Sequence, residues 1–202
     1  MTVSRIAAPF DDPDFLFELK HDGFRSLAYI SDGQCELVSR RKNHYKSFDS
    51  LKAALADLKA TDVILDGELV CLDGDGYSQF NQLLYRRQEP AFYAFDLLWI
   101  DGHDLRQLPL IERKKQLHKL ILKSRCERAI YAQHIVGRGV ALYWEICERD
   151  LEGMVCKRKD GVYSSASIWF KVLNPNYTQH DGRQEKFTAF KERSRRGRIL
   201  TS

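Results

Sequence analysis

The sequence lacks the short motifs that identify the commonest nucleotide-binding and hydrolytic sites. It has no GxxxxGK[ST] element and no GxGxxG element opening a helix, which excludes a P-loop and a Rossmann-type site. The absence of HExxH, of CxxC pairs and of GxSxG argues against zinc enzymes and serine hydrolases. A reaction site in this chain must therefore be built from other residue types.

The chain also lacks a hydrophobic segment of the roughly 18 residues that a membrane span needs. Its N-terminus has none of the features of a signal peptide. The five cysteines are widely scattered and odd in number, as expected for reduced thiols rather than a disulfide framework. These absences predict a cytoplasmic protein with no membrane partner.

What the chain does contain is enough apolar residues for a sizeable core. Its 202 residues are 44% hydrophobic and 11% aromatic, and the formal net charge is +4. A mildly basic balance fits a nucleotide or nucleic-acid partner without requiring one. Because no repeat or Pro/Gly/Ser-rich linker divides the chain, we expect one domain.

Hydrophobic patterning predicts more strands than helices. Strands are expected at residues 15–19, 26–30, 35–39, 63–72, 91–100, 154–157 and 168–173, and helices at residues 48–58, 77–87, 109–123 and 140–150. Asp32-Gly33 marks a β-hairpin turn, and Ser47 or Asp49 is placed to cap the first helix. Since hairpin-length turns outnumber βα crossovers, the predicted class is α+β, with antiparallel sheets flanked by helices.

Carboxylates interrupt several strands that should be buried. Asp66 and Glu68 break the strand at 63–72 and lie two residues apart, so that both would share one face. Asp96 lies within the next strand, and Glu152 precedes another. A buried carboxylate is costly unless it is paired or binds a metal. For any one of these acids, a structural salt bridge or turn cap is the simpler interpretation.

Five cations form a complementary set at strand ends or within strands: Lys20, Arg25, Arg40, Lys157 and Lys171. A single lysine among aromatics can extend its stem over the core and leave its ammonium in water. Together with the acids, the five would form a pocket suited to polyphosphate and a divalent ion. Lys20 is then the candidate nucleophile, because a lysine amine can form an activated P–N bond.

Six motifs in order resemble the nucleotidyltransferase domain of ATP-dependent DNA ligases, most closely bacterial end-joining ligases. They are Lys20-His21-Asp22-Gly23-Phe24-Arg25, Ser39-Arg40-Arg41, Asp66-Gly67-Glu68, Phe95-Asp96-Leu97-Leu98, Glu152-Gly153-Met154-Val155 and Trp169-Phe170-Lys171-Val172. The resemblance implies the ATP-grasp-like nucleotidyltransferase fold that ligases share with capping enzymes. It makes residues 1–180 the adenylation domain and residues 181–202 a basic C-terminal tail without an OB-fold domain.

The resemblance also implies a role for each matched residue. Lys20 would receive AMP from ATP, with Lys171 stabilising charge on the α-phosphate. The nucleotide would further contact Arg25 and Glu68 at the ribose, Arg40 and Lys157 at phosphate, Phe95 by stacking, and Glu18 with the Leu19 backbone at the exocyclic amine. Glu152, together with Glu68, would hold Mg²⁺ or Mn²⁺.

Two features depart from the family pattern. Where the family's last strand reads KxK, this chain has Leu173 in place of the second lysine. Loss of one preorganised charge-stabilising group costs roughly 10²–10³-fold in rate. The ligases continue into an OB-fold domain, and residues 174–202 lack the strands for one. A separate OB-fold or end-joining protein is therefore a candidate partner.

Three functions stay open. The first is an ATP-dependent DNA ligase-like adenylyltransferase that seals nicked or broken duplex DNA in repair, at the nucleoid in a bacterium. The second is a catalytically weak nucleic-acid-binding module that recruits partners to DNA ends, for which Leu173 and the missing OB-fold domain are the arguments. The third is a GTP-dependent guanylyltransferase of the RNA-capping type. The basic cluster at residues 193–198 would add phosphate contacts or remain a solvated tail.

Overall fold

The computed structural model describes residues 1–178, and the expected basic tail at 181–202 lies outside them. The strands of this part are β1 (Thr2–Arg5), β2 (Phe15–Leu19), β3 (Phe24–Ser31), β4 (Gln34–Ser39), β5 (Asp62–Val70), β6 (Ala91–Ile100), β7 (His103–Asp104), β8 (Ala129–Tyr131), β9 (His134–Val136), β10 (Gly153–Arg158) and β11 (Ile168–Leu173). Its helices are α1 (Asp49–Ala56), α2 (Phe80–Leu84), α3 (Leu110–Ser124) and α4 (Gly139–Glu148).

The strands form two sheets of mixed direction. One has the order β1-β11-β10-β2-β9, and the other follows β4-β3-β5-β6-β7 with β8 beside β6. Most strand pairs are antiparallel, as expected, whereas β1–β11 and β6–β8 are parallel pairs that the sequence did not predict. Helix α3 lies between β6 and β8 in the chain, and such a crossover brings a strand back in the same direction. The α+β class itself is confirmed.

The first helix begins differently from the sequence-based expectation. Residue Phe48 precedes α1 with a left-handed backbone at φ 72°, and no side chain caps the helix. The expected cap from Ser47 or Asp49 is therefore wrong. The Phe48 ring is buried in the core beside Leu51 and Leu55, so apolar packing anchors the start of the helix. Helix α2 is also shorter than the predicted segment 77–87.

Strand β5 passes through Asp66-Gly67-Glu68 without a break, whereas the sequence indicated an interruption. The irregularity is confined to its pairing with β6, where the register shifts on either side of Leu65-Asp66. At Gly67 a Cβ atom would lie 2.5 Å from the ring of Phe92. Only glycine therefore lets the two strands approach this closely while the flanking carboxylates stay in place.

Each sheet buries one face beneath helices. Apolar residues of α1 and α3 pack on the six-stranded sheet: Leu51, Leu55, Leu117 and Leu120 meet Leu65, Leu69 and Phe92. Helix α4 covers the five-stranded sheet, where Tyr143 and Ile146 meet Phe17, Met154 and Val172. Side chains alternate along strands, so the charged residues between these apolar ones lie on the opposite faces. No helix within residues 1–178 is long and apolar enough to cross a membrane.

Candidate active site

A cleft of about 240 Å³ lies between the two charged sheet faces. All nine residues expected to contact the nucleotide line it: Glu18, Leu19, Lys20, Arg25, Arg40, Glu68, Phe95, Lys157 and Lys171. The lining is completed by residues to which the sequence assigned no nucleotide contact: Val3, His21, Tyr93, Ala132, Val155 and Trp169. The structure thus brings the expected residues together, while their individual roles stay predictions.

Lys20 directly follows β2 at the rim of this cleft. Its backbone N–H donates to the carbonyl of Gly153 at 2.9 Å. Its Nζ atom lies 2.8 Å from each carboxylate oxygen of Glu152, and 23% of the Lys20 side chain is exposed. Lys20 also lines a second, larger cavity of about 400 Å³. The amine is therefore held by one carboxylate and remains accessible to a ligand.

The glycine of the KxDG element has a steric explanation. A Cβ atom on Gly23 would lie 2.1 Å from the carbonyl oxygen of Leu69 and 2.9 Å from Cγ of Glu68. Contacts this short are impossible for a real Cβ, so only glycine lets the start of β3 approach β5 here. This approach places Lys20, just before Gly23, close to the carboxylate of Glu68.

Glu68 and Glu152 form the carboxylate side of the site. Burial raises the pKa of Glu68 to about 8, with Glu152 and Asp66 adding to the rise and Lys20 and Arg25 opposing it. A buried carboxyl whose ionisation is opposed by burial and by neighbouring carboxylates suits a divalent cation, which would stabilise its charged form. Within residues 1–178 no group of three acidic, histidine or cysteine side chains forms a complete metal site. Mg²⁺ commonly takes one or two carboxylates and completes its shell with phosphate oxygens.

Arg25, on β3, is held in place by Asp66 of the adjacent strand β5, and Asp66 is held in turn by Tyr163. Its guanidinium donates to Asp66 at 3.1 and 2.6 Å, and the hydroxyl of Tyr163 donates to the same carboxylate at 2.8 Å. The guanidinium carbon lies 5.0 Å from the ring centre of Trp169 and 5.6 Å from that of Phe95. Asp66 therefore supports a cation of the cleft, and Tyr163, which sequence reasoning missed, supports Asp66.

Glu18 is buried between two lysines. Lys114 Nζ lies 2.6 Å from its Oε1 atom, and Lys157 Nζ lies 2.6 Å from Oε2. The Lys157 ammonium also lies 4.3 and 4.1 Å from the ring centres of Phe95 and Trp169. Lys157 was expected at the α-phosphate, and that contact stays a prediction. In the structure its charge is taken up by Glu18 and the aromatic faces.

Lys114 was missed because sequence analysis assigned α3 only an apolar stripe. A signal for it exists in the pattern, since Lys114 lies four residues after Leu110 and three before Leu117, on that same stripe. A lysine at such a position is buried only when it is paired. The adjacent Arg113 is also buried and donates to Asp96 at 2.7 and 2.8 Å. Asp96 thus forms the structural salt bridge that was the simpler interpretation.

His21 and Tyr93 form the remaining wall near Lys20. Their ring centres lie 4.0 Å apart, and the imidazole Nδ1 is 3.4 Å from the hydroxyl of Ser78. Burial lowers the pKa of His21 to about 4, and the neighbouring Lys20 contributes to the shift. The imidazole is therefore neutral at pH 7, and the cations facing the cleft are lysines and arginines.

An amine held against a carboxylate, in a cleft of aromatic rings and cations between two sheets, is suited to transfer of a nucleotide. A family model described as the ATP dependent DNA ligase domain matches residues 2–172. The chain belongs to that family. The class of enzyme implied by the six motifs, an ATP-dependent nucleotidyltransferase of the DNA ligase type, is thereby confirmed.

Individual relatives agree with this assignment. The SPbeta prophage-derived DNA ligase-like protein LigB of Bacillus subtilis is 30% identical over 189 residues, covering 89% of this chain and 68% of LigB. The multifunctional non-homologous end joining protein LigD of Mycolicibacterium smegmatis is 31% identical over 170 residues. That match covers 81% of this chain but only 22% of LigD.

The fold is shared with solved ligase structures. A mycobacterial DNA ligase D complexed with ATP and MES superposes with a TM-score of 0.71 at 27% identity, covering 85% of this chain and 59% of that one. The ligase domain of LigD from M. tuberculosis gives a TM-score of 0.70, also at 27% identity. It covers 84% of this chain and 58% of that domain. The nucleotidyltransferase fold of DNA ligases is therefore confirmed.

Proposed function

We propose that this chain transfers AMP from ATP to Nζ of Lys20 and then to the 5′-phosphate of nicked or broken duplex DNA. The observation that carries the proposal is the contact of Lys20 with Glu152 at the mouth of the cleft. In this proposal residues 1–180 form the adenylation unit. The proposed partner for sealing is a separate OB-fold or end-joining protein. Because the proposed substrate is DNA, the protein would act at the nucleoid in a bacterium.

The first step joins Lys20 Nζ to the α-phosphorus of ATP. An amine attacks only when it is unprotonated, and a carboxylate oxygen of Glu152, 2.8 Å away, is positioned to accept its proton. The P–N bond forms as the bond from the α-phosphorus to the bridging oxygen breaks, and pyrophosphate leaves with the bonding electrons. Mg²⁺ or Mn²⁺ held by Glu68 and Glu152 would supply positive charge to the phosphate oxygens.

The other residues of the cleft position the nucleotide. Phosphoryl-type transfer is catalysed mainly by orientation and by cations near the equatorial oxygens, a role we assign to Lys171 and Arg40. The ring of Phe95 is the stacking surface for the purine. Arg25 is preoriented by Asp66 at the ribose. In this arrangement the purine base lies at Phe95 on one wall of the cleft, and the phosphates lie at Lys171 on the other wall.

Labelling with α-³²P-ATP and Mg²⁺, followed by denaturing electrophoresis, tests the proposal. We expect label on the wild-type chain and none on Lys20→Ala. The matched control is Lys119→Ala, because Lys119 is exposed on α3 and should leave labelling unchanged. An unlabelled wild type, or label that persists in Lys20→Ala, overturns the proposal. Label from GTP in preference to ATP would instead identify a guanylyltransferase of the capping type.

A second candidate function is a DNA-end-binding module with little transfer activity. The observation that favours it is Leu173, which lies two residues after Lys171 in β11 and so occupies the same face. This alternative predicts salt-dependent binding to nicked duplex by a chain that takes no label. Gel-shift titrations at two salt concentrations, run beside the labelling experiment, separate the two functions.

A further inference from the structure

The base end of the cleft has a charge arrangement that the ligase reaction does not by itself require. Glu18 is 3% exposed, and each of its carboxylate oxygens receives a different lysine at 2.6 Å. Lys157 comes from β10 of the same sheet, whereas Lys114 comes from α3, which packs behind the other sheet. A helix outside the cleft thus reaches a carboxylate inside it.

The Lys114 ammonium is fully occupied. It donates to Glu18 at 2.6 Å, to the carbonyl of Ala132 at 3.0 Å and to the carbonyl of Phe95 at 3.5 Å. An ammonium has three N–H donors, so each has an acceptor, and Lys114 itself is 0% exposed. All three acceptors, on Glu18, Ala132 and Phe95, belong to residues that line the cleft. Lys114 therefore ties the carboxylate to the backbone that carries the stacking ring.

The paired lysines also determine the protonation of Glu18. Burial alone would raise the pKa of this carboxyl, but Lys114 and then Lys157 more than compensate and hold it below its usual value. An ionised carboxylate has only acceptors, whereas a protonated one offers a donor as well. At neutral pH the wall beside Phe95 thus presents hydrogen-bond acceptors at Glu18.

We propose that Lys114 is a positioning residue that makes the cleft select adenine over guanine, by holding the carboxylate of Glu18 in place beside the backbone of Phe95. This inference rests on the proposed function and adds its base specificity. Adenine carries an amino group at its six-position and donates to an acceptor. Guanine carries a carbonyl oxygen there, which a carboxylate repels.

The spacing along β2 supports this arrangement. Glu18 and Lys20 are two residues apart in extended chain, so their side chains share a face about 7 Å apart. A nucleotide whose α-phosphorus lies at Lys20 therefore has its base within reach of Glu18. Lys157 lies between Glu18 and the ring of Phe95, so the carboxylate and the proposed stacking ring are neighbours across one ammonium.

The experiment measures binding of AMP and GMP by titration calorimetry, because neither can transfer a nucleotide to Lys20. We expect the wild type to prefer AMP, and Lys114→Met to reduce the AMP-over-GMP affinity ratio about tenfold or more. Lys114→Arg should restore the ratio by restoring the charge. The matched control is Lys115→Met, since Lys115 is the next residue of α3, 60% exposed and paired only with Glu112 at the surface.

The possible results separate the role of Lys114 from the proposed AMP transfer to Lys20. An unchanged ratio in a folded Lys114→Met protein shows that Lys114 is merely structural and overturns the inference, even if both affinities fall. If Lys114→Met does not fold, Lys114→Gln, which keeps a donor but not the charge, provides the same comparison. Failure of the wild type to take label from ATP overturns the proposed function. A changed AMP-over-GMP ratio would still support the role of Lys114 in that case.

Discussion

Asp66 fixes the orientation of Arg25 through two parallel hydrogen bonds, from Nε at 3.1 Å and from Nη2 at 2.6 Å. A carboxylate that receives both arms of a guanidinium fixes its plane as well as its position. Because the Asp66 side chain is 1% exposed, it does not compete for the ligand. Arg25 therefore faces the cleft in one orientation before any nucleotide binds, which reduces the entropy lost on binding.

The first prediction concerns this pair. Asp66→Asn keeps the size of the side chain but removes the charge, so we expect ATP affinity to fall about tenfold. Tyr163→Phe removes only the supporting hydrogen bond at 2.8 Å and should have a smaller effect. Titration calorimetry with Lys20→Ala in the background prevents transfer during the measurement. Wild-type affinity in Asp66→Asn would show that the orientation of Arg25 does not matter for binding.

The second prediction concerns the missing lysine. Leu173 is paired with Gly153, next to Glu152, and lies on the same face of β11 as Lys171. Leu173→Lys adds a cation beside the proposed phosphate position, so we expect the initial labelling rate to rise about tenfold. Leu173→Gln, which is polar but uncharged, is the control. Equal rates in the two variants would mean that charge at this position contributes nothing to transfer.

The third prediction follows from the raised pKa of Glu68. The folded value is about 8 against an ordinary 4.5, so between these pH values the folded chain binds more protons than the unfolded chain. Stability due to this group is therefore lost as pH rises through that interval. Glu68→Gln has no ionisable carboxyl at this position, so it should not lose stability over this pH interval.

We expect Glu68→Gln to raise Tm at pH 8.5 by about 2–4 °C, corresponding to about 1 kcal/mol. At pH 3.5 the two proteins should melt together, because Glu68 is then largely protonated in both the folded and the unfolded chain. Differential scanning calorimetry at the two pH values provides the measurement. A Tm difference that is the same at both would assign the effect to packing rather than to ionisation.

The fourth prediction concerns the buried pair of Asp96 and Arg113, which are 0% and 1% exposed. Asp96→Asn leaves the guanidinium without its charge partner in the interior and should cost about 3–5 kcal/mol in the free energy of unfolding. Arg106→Gln breaks an exposed pair with Asp104 and should leave the urea midpoint unchanged. A small effect of Asp96→Asn would mean that water reaches Arg113.

The long elements could be predicted because their patterns are local. The aromatic and apolar run at 91–100 is a strand in both sequence and structure, and the hairpin turn at Asp32-Gly33 has the expected form. Short strands such as β1 and β8 have no such pattern, since they exist only through pairing with distant strands. Ends and caps also depend on tertiary packing, as Phe48 shows.

The residues of the site also differ in how well the sequence predicts them. The nine expected residues line the cleft because the motifs that carry them lie on or directly after strands of the two sheets, and these motifs can be read in the sequence. Lys114 contacts a residue 96 positions away, and Tyr163 one 97 positions away. A charged residue in a helix is usually at the surface, so the position of Lys114 on the apolar stripe of α3 is a weak sign beside its exposed neighbour Lys115, and it does not reveal the partner. Sequence therefore identifies the groups that face the ligand better than those that hold them.

Lys20 borders two cavities, the cleft of about 240 Å³ and the larger one of about 400 Å³. The larger cavity is lined in part by Leu142, Ile146 and Leu151, and it does not include Phe95. A small apolar inhibitor bound there would reach the amine of Lys20 without competing for the surface that stacks the base. It would compete with ATP for the position of the α-phosphate at Lys20, and a nucleoside that lacks phosphates would not displace it.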